Sequence, residues 1–255
     1  MAIYSDALSF AERVYYSLLK PGDEEVADFE MSIDETATPT TPAQHFFIAN
    51  ELRRKGITPA TVAPRFCGEF QKGVDYIGNL GQFEEELKIH AVIARHFGYK
   101  LSIHSGSDKF SVFPYIGRES HGNFHIKTSG TNWLQAMLLV SKLEPELYRE
   151  IHMFALERFN EATAYYHVTT DLNRIPDIDK LKDEELPNLF TMNDSRQLIH
   201  ITFGLVLNAK NPDGSYCFKD RLYKVWNENE SALRKIVCAH IEKHMDSLKA
   251  MNSEK

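Results

Sequence analysis

The sequence predicts an α/β fold built on a parallel sheet, of the TIM-type (β/α) barrel class. Short apolar runs alternate along the chain with longer segments of helical periodicity, which is the pattern of a strand followed by its covering helix. Several of these runs stop abruptly in polar residues, as strands do at the edge where such folds carry their sites. The length of 255 residues suits one barrel-type domain, which we place at residues 1–255.

The number of predicted strands is smaller than a closed barrel requires. About five strands can be recognised, whereas the closed form has eight. Either three strands are hidden in segments that we interpret as helix, or the chain is part of a larger barrel. The number of strands leaves both possibilities open, one of them an incomplete barrel whose amino-terminal strands are absent from this chain.

The elements of the first third begin and end at recognisable residues. A helix is predicted over 4–20, where apolar residues recur at helical spacing before a Pro-Gly pair. A strand follows at 28–34. The next helix starts with Thr41 as its cap and Pro42 in its first turn, and it ends in three basic residues before Gly56.

The central part continues the alternation of strand and helix. A strand is predicted at 60–66, and an amphipathic helix over 82–97 stops at a glycine. Further strands are predicted at 101–104 and 124–128, and a helix at 131–143 follows them. This order is typical of a parallel sheet with helices outside it.

The remainder is predicted to be mainly helical. Pro145 opens a further helix, and the run 165–170 is rich enough in β-branched and aromatic residues for a fifth strand. Asn193 or Asp194 caps a helical segment that reaches residue 208. A long amphipathic helix closes the chain.

Composition excludes several classes of protein. The 36 acidic and 29 basic residues give a net charge of -7, which argues against nucleic acid or an anionic membrane as a partner. No apolar run approaches the roughly 20 residues that span a bilayer, and the start lacks the features of a signal peptide. The chain has three widely separated cysteines outside any CxxC motif, Cys67, Cys217 and Cys238. We therefore expect no disulfide framework and a cytoplasmic location.

Polar side chains at the ends of three predicted strands share one face. Side chains alternate along a strand, so residues of one parity point the same way while the large apolar residues point to the helices. The set predicted to point into the barrel is Asp34, His104, His125 and Lys127. Glu35 and Glu69 lie just beyond the strands and turn inward from loops in this interpretation.

Carboxylate and imidazole groups from different strands suit a divalent metal cation with open positions for substrate oxygens. The alternative is that both histidines are hydrogen-bonded interior residues. Lys127 either binds a carboxylate or oxyanion, acts as a Schiff-base nucleophile, or pairs with Asp34 or Asp108. Arg65 and Lys109 are candidate carboxylate binders, and an arginine after a strand equally suits a scaffold ion pair.

The pair His240 and His244 is disfavoured as a metal site. Two histidines four residues apart on a helix can share an ion, but the glutamate between them is misplaced for the H-E-x-x-H motif. The helix also lies at the end of the chain. We therefore expect no site there.

At the strand-end residues the sequence resembles the tagaturonate/fructuronate epimerase family of hexuronate catabolism, and specifically its carboxyl-terminal portion. The likeness runs from about residue 28 onward. The matching stretches are RFCGEFQKGVDY (65–76), FGYKLSIHSGSDKFSVFP (97–114), HIKTSGTNW (125–133) and RQLIHITFG (196–204). The resemblance implies a metal-dependent barrel enzyme that interconverts D-tagaturonate and D-fructuronate, two sugar acids that differ at C4.

The resemblance also implies roles for the candidate residues. Asp34 or Glu35 would act as the acid/base catalyst, and a divalent cation of unknown identity would be the cofactor. The implied metal ligands are Glu69, His104 and His125. The implied substrate-binding residues are Arg65, Ser107, Asp108, Lys109 and Lys127.

The C4 hydrogen is not acidified by the C2 ketone, so a retro-aldol opening of the C3–C4 bond is the expected route, and a transient oxidation at C4 is the alternative. Two other functions stay open: a Schiff-base aldolase acting on a sugar acid through Lys127, and a non-catalytic partner subunit of a barrel enzyme. Two kinds of protein partner are expected, a separate amino-terminal half or further copies of the chain.

Overall fold

Four short parallel strands form the sheet in the part of the chain that the computed structural model describes, residues 2–20, 27–128 and 130–249. They lie in chain order, and each pairs only with its sequence neighbours. The strands are β1 (Glu30–Ile33), β2 (Thr61–Pro64), β3 (Lys100–Ile103) and β4 (Phe124–Ile126). The predicted α/β class with a parallel sheet is confirmed.

The sheet is open, with β1 and β4 as its edges, and the described residues do not close it into a TIM-type barrel. The predicted fifth strand at 165–170 is wrong, because the polar groups of this segment bond to side chains and not to a neighbouring strand. The Thr169 N–H donates to Gln71 Oε1 at 3.0 Å, and Thr170 Oγ1 donates to Gln197 Oε1 at 2.9 Å. The segment therefore lies across the loops as irregular chain.

The described residues form ten α-helices. Four accompany the strands and six follow the sheet, and short 3₁₀ segments connect α6 to α7. None of the described helices has the length and apolar character to cross a lipid bilayer. The helices are α1 (Ala2–Val14), α2 (Pro42–Arg54), α3 (Leu80–Phe97), α4 (Phe113–Glu119), α5 (Thr131–Leu143), α6 (Pro145–Ala162), α7 (Asn193–Ile201), α8 (Phe203–Asn208), α9 (Lys219–Glu228) and α10 (Glu230–Lys249).

Helix α2 begins with the predicted cap. Thr41 Oγ1 accepts the Gln44 N–H at 3.3 Å, while Gln44 Oε1 accepts the Thr41 N–H at 2.8 Å. This reciprocal pair satisfies two backbone donors that the first turn leaves free. Helix α3 ends at Gly98, whose φ of +82° is a conformation that favours glycine.

The predicted single helix over 193–208 is divided into α7 and α8. Thr202 stands at the break, and its hydroxyl donates to the Leu198 carbonyl at 2.8 Å, a side-chain bond that competes with regular helix geometry. Asp194 is not a cap, because its Oδ1 accepts the N–H of Asp171 at 2.8 Å. The side chain thus fastens the preceding loop to α7.

Apolar side chains form two clusters. The first lies between the sheet and helices α1 to α4, and it contains Val62 and Leu101. The second lies among helices α5 to α9, and it contains Leu134 and Leu222. Helix α10 packs against both α4 and α5 and therefore joins the two clusters.

Candidate active site

Four polar side chains on one face of the sheet form a strand-end cluster of Glu30, Asp34, His104 and His125. Asp34 and His104 lie just beyond the carboxyl ends of β1 and β3, Glu30 is the first residue of β1, and His125 lies within β4. Met31 and Ile33 of β1 are buried in the core, so Glu30 and Asp34 are left on the opposite face, as alternation predicts. The His104 ring lies between the two carboxylates. Its Nε2 is 2.7 Å from Glu30 Oε1, and its Nδ1 is 3.0 Å from Asp34 Oδ2.

His125 joins the cluster through Glu30. Its Nδ1 lies 3.4 Å from Glu30 Oε2 and 2.9 Å from Ser102 Oγ on the neighbouring strand. Thr61 of β2 donates to the same Glu30 oxygen at 2.5 Å. Glu30 is therefore held by groups from three other strands, whereas the His125 side chain is 46% exposed and open to the solvent.

The paired charges of the cluster shift its pKa values. Burial opposes the charged form of His104, but the hydrogen bonds and negative charges of Asp34 and Glu30 outweigh it and raise the pKa of the imidazole. Burial likewise opposes the two carboxylates, yet hydrogen bonds from Thr61, Ser32 and His104 lower the pKa of Glu30 and of Asp34. The two carboxylates thus favour the protonated form of the ring that lies between them.

A cavity of about 430 Å³ opens beside the cluster. Its wall combines negative and positive side chains, and the irregular segment after α6 adds Tyr165, Tyr166 and His167. The charged residues of the wall are Asp34, Glu35, Glu69, Arg65 and Lys72. A pocket of this size with convergent polar groups fits a small polar molecule.

Two cations reach the cavity from the loop after β2. The Arg65 guanidinium donates to the Thr36 carbonyl in the β1 loop, so it supports the wall as well as lining it. Lys72 Nζ donates to Ser105 Oγ at 3.1 Å. Burial lowers the pKa of Lys72, and the positive charge of Lys127 lowers it further. Lys72 and Lys127 therefore lie close enough at this edge of the sheet for their positive charges to repel each other.

Three of the predicted substrate-binding residues, Ser107, Asp108 and Lys109, are buried and do not line the cavity. Lys109 Nζ donates to three backbone carbonyls, those of Gln71 at 2.8 Å, Val74 at 2.5 Å and Ser107 at 3.1 Å. All three ammonium protons are thus used within the protein. The structure gives Lys109 a supporting role in place of the predicted contact with a substrate.

The predicted metal ligands Glu69, His104 and His125 are not brought together around one point. Glu69 lines the cavity, and its carboxylate lies 3.8 Å from His167 Nε2. Within the described residues, a group of three ligand atoms all within 4.8 Å of one another is formed by Asp108, His240 and His244. The histidine pair that the sequence disfavoured therefore lies in such a group.

Sequence reasoning missed Glu30 and Lys72. Alternation along the strand places Glu30 on the same face as Asp34, but no further feature of the sequence selected it as a site residue. Lys72 lies within the stretch 65–76 that carries the family resemblance, but its place at the cavity depends on a loop path that no periodicity predicts.

Comparison with protein families gives one family model, described as UxaE: tagaturonate epimerase, which matches residues 1–248. The tagaturonate/fructuronate epimerase of Thermotoga maritima is 47% identical over 247 residues. That alignment includes 96% of this chain and 50% of the relative. The chain thus spans about half the length of this relative.

Solved structures agree with the sequence comparison. Crystal structures of the fructuronate-tagaturonate epimerase UxaE from Cohnella laeviribosi superpose on this chain with a TM-score of 0.94, both in the native form and with one glycerol bound. The identities are 52% and 53%, respectively. Each superposition covers 96% of this chain and 50% of the other.

Proposed function

Because the chain belongs to the tagaturonate epimerase family, we propose that it carries one part of an active site that interconverts D-tagaturonate and D-fructuronate by inversion at C4. The observation that carries the proposal is the strand-end cluster beside a charged cavity at the carboxyl edge of a parallel sheet. Since this chain spans half of its relatives, the complete site would include the remaining half of the barrel.

The charges around the cavity suit a uronate. Such a substrate carries one carboxylate and several hydroxyl groups. Arg65 and Lys72 line the cavity, and Lys127 follows β4 at the same edge, so these cations would hold the substrate carboxylate. Asp34 and Glu35 line the same cavity, and Glu35 would be the proton acceptor.

The strand-end cluster has the donor chemistry for a divalent cation. His104 lies between two carboxylates, and a metal ion bound to its deprotonated ring would place a positive charge beside them. Glu30, His104 and His125 would hold the ion, and the rest of the barrel would complete the ligand set. When bound, such an ion polarises the C2 and C3 oxygens and stabilises an enediolate.

The groups of this chain suggest a retro-aldol route. Glu35 removes the proton of the C4 hydroxyl, the C3–C4 bond breaks, and its electron pair enters the C2–C3 enediolate. The resulting C4 aldehyde turns about the C4–C5 bond and is attacked again by C3, after which Glu35 returns the proton. Asp34 is engaged by His104 and Ser32, so it would position the imidazole and not accept this proton.

The test is an NMR assay of tagaturonate conversion by the assembled enzyme, with and without a chelator. Glu35→Gln should lower turnover about 10²-fold or more, as expected for loss of a general base, and Glu85→Gln on the exposed face of α3 should not. Substrate deuterated at C4 should react with a small secondary isotope effect. A primary isotope effect would show that the C4–H bond breaks in the slow step. That result would rule out the retro-aldol route and indicate hydride transfer at C4.

Borohydride trapping separates the Schiff-base alternative. Reduction in the presence of substrate should leave Lys127 unmodified if the proposal holds. A substrate adduct on Lys127 would instead make the enzyme an imine-forming aldolase.

A further inference from the structure

The loop after β3 meets the last helix at a compact group of possible metal ligands, which we call the helix-loop triad: Asp108, His240 and His244. His240 Nε2 lies 3.0 Å from Asp108 Oδ1, and His244 Nε2 lies 4.0 Å from the same oxygen. The two histidines stand one turn apart on α10, so their rings face the same way. None of the three residues lines the cavity at the strand ends.

The surrounding contacts orient each ligand atom. His244 Nδ1 donates to the His240 carbonyl at 2.8 Å, which fixes the tautomer and leaves a lone pair on Nε2. Arg196 Nη2 lies 3.0 Å from Asp108 Oδ2, an ion pair without an aligned hydrogen bond, while Oδ1 is the oxygen that faces the histidines. This is the arrangement in which outer groups position metal ligands.

The triad also contains buried polar atoms that lie in close ion pairs but make no aligned hydrogen bond. Asp108 Oδ1 and His240 Nε2 are buried, and neither makes an aligned hydrogen bond with any described residue. Asp108 itself is only 4% exposed. A buried carboxylate oxygen facing a nitrogen without hydrogen-bond alignment is costly, and a cation between the two atoms would remove that cost.

We propose that Asp108, His240 and His244 bind one Zn²⁺-type divalent cation that fastens helix α10 to the loop after β3. Two imidazoles and one carboxylate are a donor set that Zn²⁺ and its neighbours Co²⁺ and Ni²⁺ accept, with water in the remaining position.

The spacing of the triad suits such an ion. Ligand atoms about 2.0–2.2 Å from Zn²⁺ lie roughly 3.3 Å apart in a tetrahedral site. The 3.0 Å and 4.0 Å distances bracket this value, so small side-chain rotations would complete the coordination. The N–H of Asp108, which now donates to His244 Nε2 at 3.0 Å, would give up that acceptor to the ion.

The position of the triad assigns the ion a structural role. Helix α10 joins the two apolar clusters, and most of its residues are exposed or half-buried, so its apolar contribution to the fold is small. His244 is the buried residue of this helix, and it packs on Phe110 and Phe113. A metal ion at this point would hold α10 against the loop after β3, where few apolar contacts stabilise the position of the helix.

The test uses the full 255-residue chain freed of metal and titrated with Co²⁺ and then Zn²⁺. Every titration is repeated with the His104→Gln variant. This variant lacks the central ligand of the strand-end cluster, so a cation bound there does not add to the number of bound cations. We expect His104→Gln to bind one equivalent of Co²⁺ with visible absorption bands, displaced by Zn²⁺, and we assign any further equivalent in the wild type to the strand-end cluster. Saturating Zn²⁺ should raise the unfolding midpoint by about 5 °C through preferential binding to the folded chain.

His240→Ala should weaken this binding at least tenfold and abolish the rise in midpoint, whereas His96→Ala, an exposed histidine on α3, should leave both unchanged. Unchanged Co²⁺ binding in His240→Ala would overturn the proposal. If circular dichroism shows His240→Ala to be unfolded, X-ray absorption of Zn²⁺ on His104→Gln decides the question. Two imidazole ligands support the site, and a shell of oxygens alone rejects it.

Discussion

Lys109 and Lys127 were both predicted to bind the substrate, but Lys109 is buried and Lys127 is exposed. Lys109 is fully buried, and burial lowers its pKa to about 8, so the ammonium keeps its proton at neutral pH. Three carbonyl groups receive its three protons. The residue therefore fixes the loop 71–75 beneath the cavity.

Replacing Lys109 by methionine should destabilise the protein. Three buried carbonyls would lose a charged donor, and we expect a loss of about 3 kcal/mol after allowing for relief of the buried charge. Urea denaturation measures this change. The matched variant Lys127→Met removes an exposed lysine and should change the midpoint little. Equal effects of the two substitutions would refute a special supporting role for Lys109.

The His104 cluster predicts a pH dependence of stability in metal-free protein. The pKa of His104 is raised above its ordinary 6.5, so its contribution is complete below that pH and is lost as the pH rises through the folded value. The pKa values of Glu30 and Asp34 are lowered from 4.5 and 3.8, so their contribution is present above those values and is lost in acid. The cluster therefore stabilises most between about pH 4.5 and 6.5.

Denaturation of wild type and His104→Gln across this range, with chelator present, should give the largest difference within the window and a smaller one at higher pH. His96→Gln serves as the control, since this exposed histidine lies outside the cluster. A difference that is independent of pH would mean that His104 is held as a neutral ring.

Strand alternation correctly predicted the direction of side chains up to one residue past a strand end, and it failed further along the loops. Asp34, His104 and His125 come together because each follows the two-residue repeat of its strand. Ser105 and Asp108 have φ values of +49° and +60°, so the chain leaves that repeat immediately after His104. As a result the side chains of Ser107, Asp108 and Lys109 point into the protein. The sequence contains no pattern that predicts this turn.

At the scale of elements, the crossing of α4 and α10 depends on a glycine. A Cβ atom at Gly117 would collide with the Leu248 backbone carbonyl of α10. Gly117→Ala should therefore push the helices apart and cost about 2 kcal/mol, the usual range for overpacking against backbone. Thermal and urea unfolding would measure the loss.

The matched variant is Gly204→Ala in α8, where an added methyl group would meet nothing within 4 Å. This substitution should be neutral or stabilise by up to about 1 kcal/mol because alanine favours the helix. Should Gly117→Ala behave in the same way, the close approach of α4 and α10 would be incorrect.

Elements with local end signals were predictable, and those defined by distant contacts were not. Thr41 and Gly98 mark their helix ends through bonds within a few residues. The segment 165–170 has the composition of a strand but takes its hydrogen bonds from Gln71 and Gln197, which are remote in sequence. The histidines of α10 gain their carboxylate partner in the same way, from a loop more than a hundred residues earlier.

At the scale of the whole molecule, the open edges at β1 and β4, together with a length half that of the relatives, predict that this chain needs a second polypeptide for turnover. We expect little tagaturonate conversion by the chain alone. Addition of the half of the Thermotoga maritima relative that this chain does not match should restore it, rising with concentration until the two halves are paired. NMR follows the reaction.

The Glu35→Gln chain separates assembly from chemistry in this experiment. It should pair with the added half as the wild type does, as seen by analytical ultracentrifugation, and yet turn over about 10²-fold more slowly. Full activity of the isolated wild-type chain would show that the remaining half supplies nothing essential.

The strand order β1-β2-β3-β4, identical to the order along the chain, also bears on how the molecule forms. Parallel pairing is usually slow because the strands must close a long loop before any contact rewards it. Here each strand pairs with the strand that precedes it in the chain, and only one helix and its loops lie between them. The loop that must close for each pairing is therefore short, and the strand edge that receives the new strand has already formed. Such a sheet can grow stepwise while the chain is being synthesised, with one strand added at each step.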